Sequence, residues 1–229
     1  GKETRYEYNE INQVRKSIDA LGQSTTFAYD LNGNLTKWTQ PNGNRVEYGY
    51  DAVDRQTSVS HNGSERYTFE YDPNGNVTKE TDKSSNQSTT FAYDDDNKLT
   101  TIQEPNNKRT EYTYDKNGNV TERKLTAGSN TVTQGYAYDA NDLLTHVKEN
   151  SKNRAIYTYN ENDQVASRKN EDGTYSLFRY NGAGDLVEQV LLGTNGEVLD
   201  TFAYTYDNKG NITAIESNAG TTSYRYDSL

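Results

Sequence analysis

Phe69-Glu70-Tyr71-Asp72-Pro73-Asn74-Gly75-Asn76-Val77-Thr78 decides the fold, because the same pattern returns along the whole chain. Its second aromatic falls at Tyr8, Tyr29, Tyr50, Tyr71, Tyr93, Tyr114, Tyr138, Tyr159, Tyr180, Tyr206 and Tyr226, at spacings of 21, 21, 21, 22, 21, 24, 21, 21, 26 and 20 residues. A fixed period of this size marks a repeat array. Two residues before each of these tyrosines stands another Tyr or Phe, so both rings share one face of a strand.

The residues after the tyrosine spell a turn. The next residue is always Asp or Asn, suited to the first position of a type I turn, and Pro73 fits the second. Four after the tyrosine come Gly33, Gly75, Gly118, Gly184 and Gly210, or else Asn12, Asp54, Asn97, Asp142 and Asp163. These are the types that tolerate a left-handed backbone, and the pattern predicts a three-residue hairpin loop with a bulge. In that register Tyr71 faces Val77, and nine of ten complete copies carry Val, Leu or Ile at the sixth position, Gln56 being the exception. Thr follows in seven copies and is expected on the opposite face. Some positions nine after the tyrosine are also apolar, among them Trp38, Val59, Ile102, Val147 and Ile215, which gives both faces a claim on the core.

A second set of turns closes each repeat, as at Pro41-Asn42-Gly43-Asn44, Asn62-Gly63 and Asp172-Gly173, so the expected fold is all-β, a continuous antiparallel hairpin array. The array is expected over 1–229, as one domain of ten to eleven repeats cut from a larger protein. Between Tyr180 and Tyr206 the apolar content rises and Asn195-Gly196 marks a turn, predicting a hairpin with longer arms or a docking edge. Leu, Ile, Val and Phe make up only 36 of 229 residues, a disorder-like composition that the strict placement of aromatics overrules. Twenty strands spaced about 4.8 Å apart would make a sheet roughly 100 Å wide, which twist would force to curl.

Net charge is −10 with no basic run, which argues against nucleic acid or an anionic membrane as partner, and no stretch is apolar enough to insert. Without cysteine there is no disulfide framework or thiol site. The Asp30–Asn34, Asp72–Asn76 and Asp115–Asn119 turns lack EF-hand spacing, and Asp94-Asp95-Asp96 reads as a solvated turn, so no metal or other cofactor is expected. His61 and His146 lie at unrelated repeat positions with no nucleophile at a suggestive spacing, and no catalytic residue is expected. Trp38 stands outside the tyrosine ladder and is the ring singled out for ligand contact, a carbohydrate being the ligand class.

The run Tyr-Asp-x-x-Gly-Asn-Leu/Val-Thr, at Tyr29 to Thr36, Tyr71 to Thr78, Tyr114 to Thr121 and Tyr206 to Thr213, resembles the YD repeat of the RHS family. That resemblance implies a long β-sheet spiralling into a hollow shell. In bacterial RHS toxins, wall-associated proteins and Tc-toxin C components such a shell encloses or carries a C-terminal toxin; in teneurins a similar shell serves adhesion. It further implies a non-enzymatic wall module, secreted or attached to the bacterial surface or cell wall, whose partners are its neighbouring repeats and a C-terminal effector domain. A carbohydrate- or cell-surface-binding array is the alternative, and exposed strand edges carry a risk of self-association.

Overall fold

The computed structural model describes residues 3–227; residues 1, 2, 228 and 229 of the expected array lie outside the described residues. The described residues form 21 β-strands and no helix, from Arg5–Tyr8, Val14–Ile18 and Ser24–Tyr29 to Ile212–Ser217 and Gly220–Ser223. The backbone forms two compact units, Gly1–Thr110 and Glu111–Leu229. In the first, each strand from Arg5–Tyr8 to Leu99–Glu104 pairs antiparallel with the next one in the chain. In the second, the same holds from Val120–Ala127 to Gly220–Ser223.

The turn after each repeat tyrosine follows from its residue types. Asp72 N donates to Asn76 O at 2.9 Å and Gly75 N to Asp72 O at 3.1 Å, with Gly75 at φ 94°. All ten complete copies have the fourth residue left-handed, from Asn12 at 61° to Gly210 at 83°. The first residue adds a side-chain clamp: Asp30 Oδ1 accepts from the backbone N–H of Asn32 and Asn34 at 3.0 and 2.8 Å, and Asn34 Nδ2 donates to Asp30 Oδ2 at 3.0 Å. Asn76 repeats that closure on Asp72, and Asn211 on Asp207. The Asn after the Gly therefore fastens the turn to its own first residue.

Directly after the turn, Tyr29 pairs with Leu35, Tyr71 with Val77 and Tyr159 with Val165. The register then slips by one, so that Ala28 faces Lys37 and Thr36 is left over. Such a bulge leaves a ladder carbonyl unpaired, and the extra threonine fills it. Thr36 Oγ1 donates to Ala28 O at 3.2 Å, Thr100 to Ala92 O at 3.1 Å and Thr145 to Ala137 O at 3.0 Å.

The slip overturns the expectation that both faces compete for the core. Phe27 lies opposite Trp38, Tyr48 opposite Val59, Phe91 opposite Ile102 and Tyr136 opposite Val147. Directly opposed residues share a face, so the ninth position joins the tyrosines and the aliphatic sixth position on one apolar face. That face is half-buried by lateral packing: among the described residues Ala155 is the one buried hydrophobic residue, and no large side chain is fully enclosed.

The return turns are of two kinds. At Asp19–Gln23, Gln40–Asn44 and Asn170–Thr174 the three-residue loop recurs, with Gly22, Gly43 and Gly173 left-handed. At Asn62-Gly63 and Asn150-Ser151 both central residues have positive φ, the two-residue hairpin geometry whose twist matches that of the strands. There the leading asparagine also extends the ladder of the preceding strand: Asn62 N donates to Arg45 O and Arg45 N to Asn62 Oδ1, at 2.9 and 2.8 Å. The hairpin predicted between Tyr180 and Tyr206 does have longer arms, Leu186–Leu192 and Val198–Tyr206, turning at Gly193–Glu197.

Candidate functional site: the tyrosine ladder and its turns

The tyrosines that set the period do more than pack. Nine of these phenols reach back to the preceding repeat and donate to the backbone carbonyl at the head of that repeat's descending strand. Tyr29 bonds Val14 O at 2.9 Å, Tyr50 Leu35 O at 2.9 Å, Tyr71 Gln56 O at 2.6 Å and Tyr93 Val77 O at 3.0 Å. In the second unit Tyr138 bonds Val120 O at 3.0 Å, Tyr159 Leu144 O at 2.8 Å, Tyr180 Val165 O at 3.1 Å, Tyr206 Leu186 O at 2.6 Å and Tyr226 Ile212 O at 2.8 Å. One residue thus pairs with its own hairpin through the ring edge and staples the previous hairpin through the hydroxyl. The acceptor is the residue that faces the previous tyrosine, so the staples form a continuous relay within each unit.

Burial raises the pKa of Tyr50, Tyr93, Tyr138, Tyr159, Tyr180 and Tyr206 above the ordinary 10.0. Turn carboxylates move the other way: the amide of the following asparagine holds Asp30, Asp72 and Asp207 below the usual 3.8. Arg55 caps one member of the ladder, its guanidinium lying 4.6 Å from the Tyr71 ring centre.

Trp38 is not outside the ladder, as its spacing suggested. It sits between Phe27 and Val46 on the apolar face, and its indole Nε1 donates to Tyr48 Oη at 3.2 Å. Beside it is a shallow cavity of about 240 Å³ lined by Trp38, Gln40, Asn44, Arg45, Val46, His61 and Asn62. His146, in the other unit, has its Nδ1 3.1 Å from Thr145 Oγ1. Among the described residues no group of three metal-ligating side chains is brought together. No helix in the described residues is long and apolar enough to cross a membrane.

The staple and the bulge threonine were the structural roles that residue reading missed. Threonine's recurrence one place after the aliphatic residue was the available signal for the bulge; the phenol bond spans two repeats through a main-chain atom and leaves no mark in residue type.

Comparison with known proteins agrees with this geometry. Residues 36–184 match the teneurin YD-shell family and residues 8–37 match the RHS repeat. No curated protein matches the chain. The crystal structure of TcdB2-TccC3-TEV superposes with a TM-score of 0.69 at 15% identity, over 99% of this chain and 15% of that one. The Photorhabdus luminescens Tc holotoxin pore carrying a TccC3 mutation gives 0.52 at 13% identity, over 94% of this chain and 14% of that chain. TcdB2-TccC3 gives 0.52 at 13% identity, over 95% and 14%. The likeness is one of fold, and the present chain spans about 15% of the length of the first of them.

Proposed function

Since the chain belongs to the teneurin YD-shell family, we propose that it is a wall segment of a β-shell that encloses or carries an effector domain lying C-terminal to the repeats in a secreted or surface-attached bacterial protein. The coarser part of this reading, a structural module of YD-shell repeats, rests on the family match and on the all-β fold. The single observation that supports the finer part is the phenol relay. It devotes the most regular side chain of the repeat to holding the preceding hairpin in register, which is what a wall needs. On this reading the module is not an enzyme, and its partners are further repeats and the effector.

Limited proteolysis of the full polypeptide that carries this chain tests the proposal. The domain following the repeats should resist protease while the repeats are folded and be cut once urea opens them. Cutting of that domain at the rate of the isolated domain, with the repeats intact, would sink the enclosure.

A second reading, carbohydrate binding, is favoured by one place only, the cavity beside Trp38 with Asn44, Arg45 and His61 around an aromatic ring. Glycan-array binding that disappears in Trp38→Ala would support it. The exposed Tyr6 and Tyr8 on the Arg5–Tyr8 strand support self-association through that edge, read by analytical ultracentrifugation.

A further inference from the structure

Neighbouring turns at the tyrosine end of the hairpins are latched to one another by side chains, and the latches obey a rule set by the left-handed residue. Where a Gly turn precedes an Asn or Asp turn, two amides of the first converge on one side-chain oxygen of the second. Asn32 and Asn34 both donate to Asp54 Oδ1, at 2.8 and 2.6 Å. Asn74 and Asn76 do the same to Asn97 Oδ1 at 2.9 and 2.8 Å, and Asn117 and Asn119 to Asp142 Oδ1 at 2.7 Å each. At three places where an Asn or Asp turn precedes a Gly turn, the residue after the left-handed one reaches forward to a main-chain carbonyl. Gln13 Nε2 bonds Gly33 O at 2.9 Å, Arg55 Nη1 bonds Asp72 O at 3.0 Å and Gln164 Nε2 bonds Gly184 O at 3.0 Å.

The left-handed position therefore has two tasks. Glycine satisfies the backbone alone, whereas asparagine or aspartate satisfies it and also supplies the acceptor that collects the neighbour's amides. Along the chain the two types alternate: Asn12, Gly33, Asp54, Gly75, Asn97, Gly118, Asp142. The alternation then slips twice, at Asp142 followed by Asp163 and at Gly184 followed by Gly210. At the first slip Leu143 occupies the place of Gln13, Arg55 and Gln164. At the second, Ala183 and Asp185 replace the two amides, and Gly210 has no side-chain acceptor. Among the described residues no side-chain hydrogen bond joins the turns at either slip.

We propose that these two slips are seams, where the turn edge of the second unit opens and closes while the strands beneath stay paired. The strands remain held there, because Tyr159 still bonds Leu144 O at 2.8 Å and Tyr206 still bonds Leu186 O at 2.6 Å. The seams are local hinges in the row of turns, and they do not depend on what the array encloses. A backbone segment held by fewer hydrogen bonds opens at lower free energy, and amide exchange reads that opening.

Hydrogen–deuterium exchange of the whole chain is the test. Amides of residues 160–164 and 207–211 should exchange at least tenfold faster than those of 51–55, which are latched from both sides. Leu143→Arg should close the first seam, because Asp139 would hold the introduced guanidinium as Asp51 holds that of Arg55, whose Nε donates to Asp51 Oδ2 at 2.7 Å while its Nη1 reaches the next turn at Asp72 O at 3.0 Å. Slowed exchange at 160–164 in that variant, with Leu143→Ala staying fast, would support the seam. Asn32→Ala, which removes one amide bridging to Asp54 and leaves the Asn34 closure of its own turn, should speed exchange at 51–55. Equal protection at seam and latched turns in the parent chain, or no change in Leu143→Arg, would overturn the proposal.

Discussion

The repeats built on Tyr29 and Tyr50 and those built on Tyr138 and Tyr206 are alike at one end and different at the other. At the tyrosine end both groups have the left-handed turn residue, the slip in register before the tyrosine and the phenol staple. At the return end the strands Ser24–Tyr29 and Arg45–Tyr50 are six residues long, whereas Asn130–Tyr138 and Val198–Tyr206 are nine. The difference shows where the fold is specified. At the tyrosine end four of the five amides of a turn such as Asp30–Asn34 have a dedicated partner, and a residue gained or lost would break several at once. The return end needs only a turn, so its hairpins lengthen freely, even at the cost of leaving Val198 60% and Leu199 54% exposed.

That contrast can be broken most forcefully at Tyr71. Tyr71→Ala removes a half-buried ring, its staple to Gln56 O and the Arg55 contact, and should cost about 3 kcal/mol in urea unfolding. Val198→Ala at the return end should cost under about 1 kcal/mol. Equal losses would show that both ends carry the fold. Next in size is Gly75→Ala: the added Cβ meets open space, so the penalty of about 1–2 kcal/mol comes from φ 94° alone, and Gly75→Asn should recover most of it. Tyr159→Phe isolates the staple, keeping the ring, and should cost about 1 kcal/mol by the same measurement. At the return end the sign should reverse. Ser151 sits at φ 70° in a two-residue turn, so Ser151→Gly should raise stability by about 0.5 kcal/mol.

Titration distinguishes the two devices of the tyrosine end. Asp30, Asp72 and Asp207 have folded pKa values below 3.8, so their contribution is complete above that pH and is lost as pH falls through the lowered value. The buried phenols have folded values above 10.0, so theirs is complete below that pH and is lost as pH rises through the raised value. Urea midpoints should therefore be level between these limits and fall outside them. Asn76→Ala should move the acid limb upward, and Tyr→Phe substitutions should weaken the alkaline one.

Much of the tyrosine end was legible in residues. The restriction of the fourth position to Gly, Asn and Asp reports its φ, and the aliphatic sixth position reports the pairing of Tyr71 with Val77. The faces were misassigned because strict alternation carries no allowance for an extra residue, and the bulge at Thr36 moves Trp38 and Val59 to the tyrosine side. Nothing in composition marks the division at Thr110, since the repeat continues across it unchanged. The latches between turns were hidden for a different reason. Asn and Asp were read for their backbone tolerance, and their side-chain acceptors matter only once two turns stand next to each other.

The phenol staple ends on a main-chain oxygen, and Tyr71 bonds Gln56 O as well as Tyr29 bonds Val14 O. The staple thus makes no demand on the side chain of the copy before, unlike the latches between turns, which do. As far as the staple is concerned, copies can be duplicated, deleted or exchanged by recombination with only the latches between turns to be matched, and an array of this kind can change its length in evolution faster than it changes its motif.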